Sequence, residues 1–256
     1  MTDTSIEWTD KTWNPLSGCT VLSPGCTNCY AMRLADRLAR MGQEKYRDTT
    51  RRSGKRAVWT GLVKLDEGTL ALPLSWRRPA RVFVNSMSDL FHKDVPEDWI
   101  RRIWAVMQAT PRHTYQVLTK RSERLVSLSA QLPRLPNVWL GVSVENAEHA
   151  FRIEDLRRVA TPVRLISFEP LLGAVGPLDL AGIQWAIVGG ESGPGARPVE
   201  QAWIEQIRDA CRAAGTAFFF KQWGGTNKAR SGRLLDGRTW DEMPCGYSAT
   251  SSDLSG

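Results

Sequence analysis

Three of the five cysteines, Cys19, Cys26 and Cys29, fall within eleven residues, spaced C-x6-C-x2-C. The stretch around them is rich in Gly, Pro, Ser and Thr, the composition of a loop that can fold back and aim three sulfurs at one point. Helical periodicity begins directly afterwards. Ala31, Ala35 and Leu38 mark one face, with Leu34 and Met41 beside it. The loop thus feeds a helix N-terminus, which favours thiolate. Cys211 sits on the stripe Ile204, Ile207, Cys211, Ala214 and reads as a small core hydrophobe. Cys245 lies in a late loop. An odd number of cysteines argues against a disulfide framework. Three thiolates admit three chemistries. A structural zinc wants four closed ligands, and none of His92, His113 and His149 is near in sequence, so Cys245 would have to fold back as the fourth. A redox pair needs only Cys26 and Cys29 and leaves Cys19 unexplained. A four-iron cluster held by three thiolates keeps one iron open to bind and reduce a small molecule, and this is the preferred reading.

The elements that must position such a loop follow from short apolar, β-branched or aromatic runs at 81–86, 114–118, 138–144, 163–168, 185–188 and 217–221. These read as strands of a parallel sheet covered on both faces. Helices alternate with them: an amphipathic face of Trp99, Ile103 and Met107 with Ile100 and Trp104, then segments 122–130, 148–160 and 200–214. Alternation implies right-handed βαβ crossovers. The expected fold is α/β, a partial or full (β/α) barrel of about six to seven units, TIM-barrel-like; a doubly wound open sheet is the alternative. Chemistry in such barrels sits at the C-terminal strand ends. Those ends carry Asn85-Ser86-Met87-Ser88-Asp89, Thr119-Lys120-Arg121, Ser143-Val144-Glu145-Asn146, Ser167-Phe168-Glu169-Pro170, Gly189-Gly190-Glu191-Ser192-Gly193 and Lys221-Gln222-Trp223-Gly224-Gly225. Any one polar strand end can simply cap the next helix. Six in series, converging on one rim, point to a site. The chain carries eleven tryptophans, so much of the core and part of a site wall must be built from indole.

The cysteine loop with Tyr30 after it, the strand-end motifs and the late Gly-Gly-Glu together resemble a three-cysteine-motif family known mostly from bacteriophages and prophages. That family is similar to radical S-adenosylmethionine enzymes. The resemblance runs from Ile6-Glu7-Trp8-Thr9 through Trp13-Asn14-Pro15 to Trp223-Gly224-Gly225. It implies a radical-SAM-like barrel in which Cys19, Cys26 and Cys29 hold a [4Fe-4S] cluster and Tyr30 packs near the cofactor. It further implies that Asn85, Ser86, Ser88 and Asp89 receive the methionine amino group of S-adenosylmethionine, with Asp89 its partner, and that Ser143 and Glu145 hold ribose hydroxyls. Glu169, Glu191 and Lys120 are the implied catalytic groups. The first cysteine gap is six residues where the superfamily has three, and the Gly-Gly-Glu follows the sixth strand rather than the second. Gly189 and Gly190 therefore suit substrate or a close backbone approach.

Lys and Arg number 34 against 27 Asp and Glu, a formal net charge of +7, which suits an anionic partner, nucleic acid first. From Lys45 to Arg56 come six cations, Lys45, Arg47, Arg51, Arg52, Lys55 and Arg56, against Asp48 alone, in a basic insertion near 43–58. This segment is either a solvated insertion or a phosphate-contacting arm, with Trp59 or Trp223 to stack on a base. Lys120 and Lys221 would instead hold a small anionic metabolite. Residues 1–247 are expected to form one domain and 248–256 a disordered tail. No apolar run approaches a membrane span and the first ten residues lack a signal-peptide core, so a cytoplasmic protein is expected. The expected function is a radical S-adenosylmethionine enzyme acting on a nucleic acid or nucleotide, served by an external electron donor. A zinc-stabilised, non-catalytic nucleic-acid-binding phage protein is the alternative.

Overall fold

Strands that are apolar along their whole length form the frame, because a parallel sheet covered on both faces leaves no strand face to water. The computed structural model describes residues 4–226 and 231–246. In chain order the elements are β1 (Lys11–Trp13), β2 (Leu16–Ser17), α1 (Tyr30–Arg40), β3 (Thr50–Ser53), β4 (Arg56–Trp59), β5 (Lys64–Leu65), α2 (Glu67–Leu70), α3 (Leu72–Ser75), β6 (Arg81–Val84), α4 (Glu97–Ala109), β7 (Thr114–Thr119), α5 (Ser122–Ser129), β8 (Val138–Ser143), α6 (Phe151–Arg157), β9 (Arg164–Phe168), β10 (Trp185–Gly189), α7 (Gln201–Ala214) and β11 (Ala217–Gln222). Seven strands form one parallel sheet in the order β1-β6-β7-β8-β9-β10-β11. The order does not reverse, so winding runs one way as in a barrel; a doubly wound sheet reverses at a switch point. β1 and β11 end the strand order without pairing with each other, so the barrel is partial; the outer edge of β11 is met by residues 240–242, with Phe220 N–H donating to the Trp240 carbonyl and a bridge from Phe219 to Asp241.

Strand alternation sorts side chains between two layers. Outward residues such as Val84, Val117, Val142, Ile166, Val188 and Phe220 pack with Ile103, Leu125, Ile153 and Ile207 of the surrounding helices. Inward residues Trp139, Leu165, Trp185, Ile187 and Phe219 pack around Trp8, with Phe83 and Leu118 partly buried beside them. Trp185 meets Trp8, Trp139 and Phe219 nearly edge-on at centroid distances of 6.0, 5.8 and 6.1 Å. Edge-to-face pairs add about 0.5–1.5 kcal/mol each beyond their burial. This aromatic plug fills the bottom of the barrel and leaves its top open for polar groups.

Several elements differ from the sequence expectation. Strand ends move by one or two residues. The helix expected over 148–160 is a 3-10 turn (Ala147–His149) followed by the shorter α6. The crossover 169–184 carries no helix; Leu171, Val175, Leu180 and Ile183 are buried in its place. Met41 stands outside the apolar face of α1, exposed at its cap. The basic insertion is an antiparallel hairpin, β3 with β4, its inner face packed on α1 through Tyr46 and Trp59 against Ala31, Met32 and Ala35. The expected tail at 248–256 lies outside the described residues. Among those residues no helix is long and apolar enough to cross a membrane.

Candidate functional site

A cavity of about 470 Å³ opens at the C-terminal ends of the strands, within the range of small-ligand sites. Ile6, Trp8, Phe83 and Leu118 form its floor, and Ser143, Ser167, Glu169, Lys221 and Gln222 stand in its walls. Cys19, Cys26, Cys29 and Tyr30 line its roof.

Local chain geometry sets that roof. The loop leaves β2 at Gly18, whose φ is +86°; a Cβ there would lie 1.9 Å from the Leu62 carbonyl oxygen, so only glycine fits. It turns at Pro24–Cys26 and ends at Cys29, the N-cap of α1. Three groups of polar contacts tie it down. First, Asn28 Nδ2 donates to Glu191 Oε2 (2.9 Å) and the Gly195 carbonyl (2.8 Å), while Arg197 pairs with both Glu191 oxygens and donates to the Pro24 carbonyl (2.9 Å). Second, the Ser23 hydroxyl donates to Glu145 Oε1 (2.5 Å), which Lys120 also pairs, and Arg152 Nη1 donates to Glu145 Oε2 (2.9 Å). Third, Arg121 pairs with Asp89 (2.7 Å), donates to Thr20 Oγ1 (2.8 Å) and reaches Cys19 Sγ at 3.7 Å.

These surroundings act differently on the thiols. Burial, then the Asp89 charge, push Cys19 up to about 12. Burial also raises Cys29, outweighing the N–H groups of Met32 and Ala31 at the helix start. At Cys26 burial opposes ionisation, but the Lys120 ammonium and hydrogen bonds from Leu22 and Ser23 outweigh it and hold the thiol below its ordinary range.

The residues singled out in sequence are distributed unevenly. Cys19, Cys26, Cys29, Tyr30, Asn85, Ser86, Ser88, Asp89, Lys120, Ser143, Glu169 and Glu191 all line the cavity. Glu145 does not: it is fully buried beneath Ser23 and Gly25, because its carboxylate neutralises Lys120 and the buried Arg152, so it cannot meet ribose hydroxyls. Asp89 has its acceptor positions taken by Thr119, Phe91, Lys120 and Arg121, which leaves no place for the methionine ammonium. Glu191 and Lys120 hold the loop rather than stand free as catalytic groups. Glu169 and Lys221 face each other across 2.6 Å in the wall, so Lys120 and Lys221 are both paired and neither awaits an anionic metabolite. The Tyr30 hydroxyl donates to the Ser86 carbonyl (2.6 Å) with the ring half exposed. Trp59 is buried against α1 and is not free to stack; the Trp223 indole N–H donates to the Leu234 carbonyl (2.8 Å).

Among the described residues, three buried polar atoms of lining residues lack a protein partner: Asn85 Nδ2, Trp8 Nε1 and Gln222 Oε1. Buried polar groups are normally paired, so these atoms leave the lining polar but incompletely satisfied. Sequence reasoning missed Arg121, Asn28, Arg197 and Trp8. Arg121 was visible in the Thr-Lys-Arg strand end and Trp8 in the Ile-Glu-Trp-Thr stretch; Asn28 and Arg197 carried no signal of their own. The late Gly-Gly-Glu has a clear part: a Cβ on Gly190 would lie 2.1 Å from the Trp223 carbonyl oxygen, and Glu191 clamps the cysteine loop.

The donor set suits a thiolate-bound group. All five cysteines are free of disulfides. Among the described residues no three His, Cys, Asp or Glu side chains are placed to hold a metal ion, and a single zinc would need its sulfurs within about 3.8 Å of one another. A four-iron cluster asks instead for three thiolates on three separate irons of one cube, and Cys19, Cys26 and Cys29 line one cavity. Cys245 is no fourth ligand for zinc. It follows Glu242 and Met243, which bond the strand starts at Phe218, Trp185 and Arg81, the opposite end of the barrel.

A protein-family model matches residues 3–244, and its description is a protein of unknown function. No curated protein and no solved structure matches.

Proposed function

The chain belongs to that family, DUF5131, and from the three-thiol roof of its cavity we propose that it is an iron–sulfur enzyme using S-adenosylmethionine on a nucleic-acid or nucleotide substrate. The observation that carries this reading is the convergence of Cys19, Cys26 and Cys29 on one cavity at the C-terminal ends of a partial barrel. When bound, a four-iron cluster with one iron free of protein would supply the electron that cleaves the sulfonium C–S bond of S-adenosylmethionine, giving methionine and a hydrogen-abstracting 5′-deoxyadenosyl radical. The three thiols bind as thiolates and release their protons. Arg121 beside Cys19 and Lys120 beside Cys26 offset the resulting negative charge. The aromatic floor closes the cavity from below. Glu169 and Lys221 hold a proton acceptor and donor side by side in the wall. The side chains of Asn85, Trp8 and Gln222 line the cavity in which a bound molecule would lie. An external one-electron donor completes the requirement.

Anaerobic reconstitution tests this. Iron and sulfide should bind the wild-type chain and Cys245→Ala, and be lost in Cys19→Ala, Cys26→Ala and Cys29→Ala. With dithionite and S-adenosylmethionine the reconstituted protein should release 5′-deoxyadenosine. Uptake of zinc alone, or an intact cluster that never cleaves the cofactor, would overturn the proposal.

A further inference from the structure

The six-cation run of the insertion is split by the hairpin into two sets. Directly opposed residues share a face, so Thr50 with Trp59 and Arg52 with Ala57 turn toward α1, while Arg51 with Val58 and Ser53 with Arg56 turn away. On the inner side Arg52 reaches Asp36 at 3.5 Å. Lys45 is tied to Asp66 at 3.1 Å, and Arg47 pairs with Glu44. Arg51, Lys55 and Arg56 remain, all exposed and without an acidic partner among the described residues. A like-charged trio at a hairpin tip, with no carboxylate to balance it, is complementary to a row of phosphates.

The tip is continuous with the cavity. β4 runs from Arg56 to Trp59, which lines the cavity, and the chain proceeds through Gly61 and Leu62. Both abut the cysteine loop, Gly61 against Thr20 and Leu62 against Gly18. Leu62, Val21 and Leu22 there are 43%, 48% and 50% exposed, and Tyr30 at the mouth 49%. Phosphate-binding cations followed by apolar and aromatic side chains make a path for an unpaired strand, whose bases need flat, water-free contacts. A base held in a duplex cannot reach into such a cavity.

We infer that the outer face of the β3–β4 hairpin, through Arg51, Lys55 and Arg56, docks a single-stranded nucleic acid and leads one nucleotide over Leu62, Val21, Leu22 and Tyr30 into the cavity. Calling that strand a substrate rests on the proposed function; the docking itself does not.

Fluorescence anisotropy of the full chain with a labelled single-stranded oligonucleotide, over a range of salt concentrations, measures the docking. Three phosphate contacts give a slope of log K against log salt of about −2, at roughly −0.7 per contact on single strands. Arg51→Glu, Lys55→Glu and Arg56→Glu combined should weaken binding at low salt more than about tenfold and flatten the slope toward zero. Arg52→Gln should bind as wild type, and thermal melting shows whether the triple variant is folded; single replacements, each lowering the slope by about 0.7, serve if it is not. Vesicles rich in phosphatidylserine should not compete. The inference is overturned by absent binding at low salt, by a folded triple variant that binds as wild type, by preference for a duplex of the same sequence, or by displacement of the strand onto the vesicles. Iron content and 5′-deoxyadenosine release, measured on the same variant, should be unchanged. A wild-type protein that cleaves the cofactor and ignores nucleic acid refutes the docking alone, and one that binds strands without taking up iron refutes the chemistry alone.

Discussion

Glu145 shows how much of the site is held by one residue. Its carboxylate is fully buried and meets Ser23, Lys120 and Arg152. Taking a charge out of water costs several kcal/mol, and here the neighbouring cations and hydroxyl offset that cost. They hold its carboxyl below the ordinary range despite the opposing effect of burial. Glu145→Gln would leave Arg152 buried without a counter-charge, and we expect it to lower stability by about 3–5 kcal/mol in urea unfolding. Gly25→Ala acts on the same cluster from above. Its Cβ would meet Glu145 Oε1 at 2.6 Å and Lys120 Nζ at 2.7 Å. Neither neighbour can yield without breaking the pair, so a loss of about 1–3 kcal/mol is expected, as for other overpacked sites. A Gly25→Ala protein with unchanged urea midpoint would show that the loop is looser than its contacts imply.

The cysteine loop and the β10–α7 connection work as one element. Glu191 lies at the end of β10, yet its partners Asn28 and Arg197, and the Pro24 carbonyl beyond Arg197, place the loop over the barrel. A hydrogen bond to a charged group contributes about 1.5–3 kcal/mol. Arg197→Ala should therefore speed amide hydrogen exchange across residues 19–30 by about tenfold or more, while β8 and β9 keep their protection. Uniform acceleration over the whole chain would instead mean that the substitution destabilises the barrel globally. The crossover 169–184 is a second lesson at this scale. A parallel connection needs length and a buried face, not a helix as such, and Leu171, Val175, Leu180 and Ile183 supply that face from irregular backbone.

For the molecule as a whole, two buried histidines set an acid limit. Burial, then Arg121, pull His92 down to about 4, and burial, then Arg112, lower His113. Both are neutral in the fold and take a proton readily once unfolded. The stability they contribute is complete above about pH 6.5 and is lost as the pH falls from there toward 4. Glu145 and Glu191, held below their ordinary range, lose their contribution only below about pH 4.5. Urea midpoints should thus decline between roughly pH 6.5 and 4.5, less steeply in His113→Gln. A flat midpoint across that interval would remove the histidines from this role.

What the sequence by itself determined was periodic or local. Apolar runs of strand length alternating with helical stripes placed the six later strands to within one or two residues, because burial on both faces leaves its mark on every position of a parallel strand. The polar strand ends and the clustered cysteines were legible for the same reason, since each is written in consecutive residues. The tertiary structure decided which of those polar groups face ligand and which face each other. Glu145 and Ser143 stand two residues apart, yet Ser143 lines the cavity and Glu145 is sealed under the loop. Asp89 is saturated largely by residues thirty positions away, and Arg52 meets Asp36 across the hairpin's inner side while Arg51 beside it has no such partner among the described residues. Charge and polarity are properties of a residue, but the partner that satisfies them is fixed by strand order and hairpin register, which bring together groups far apart along the chain.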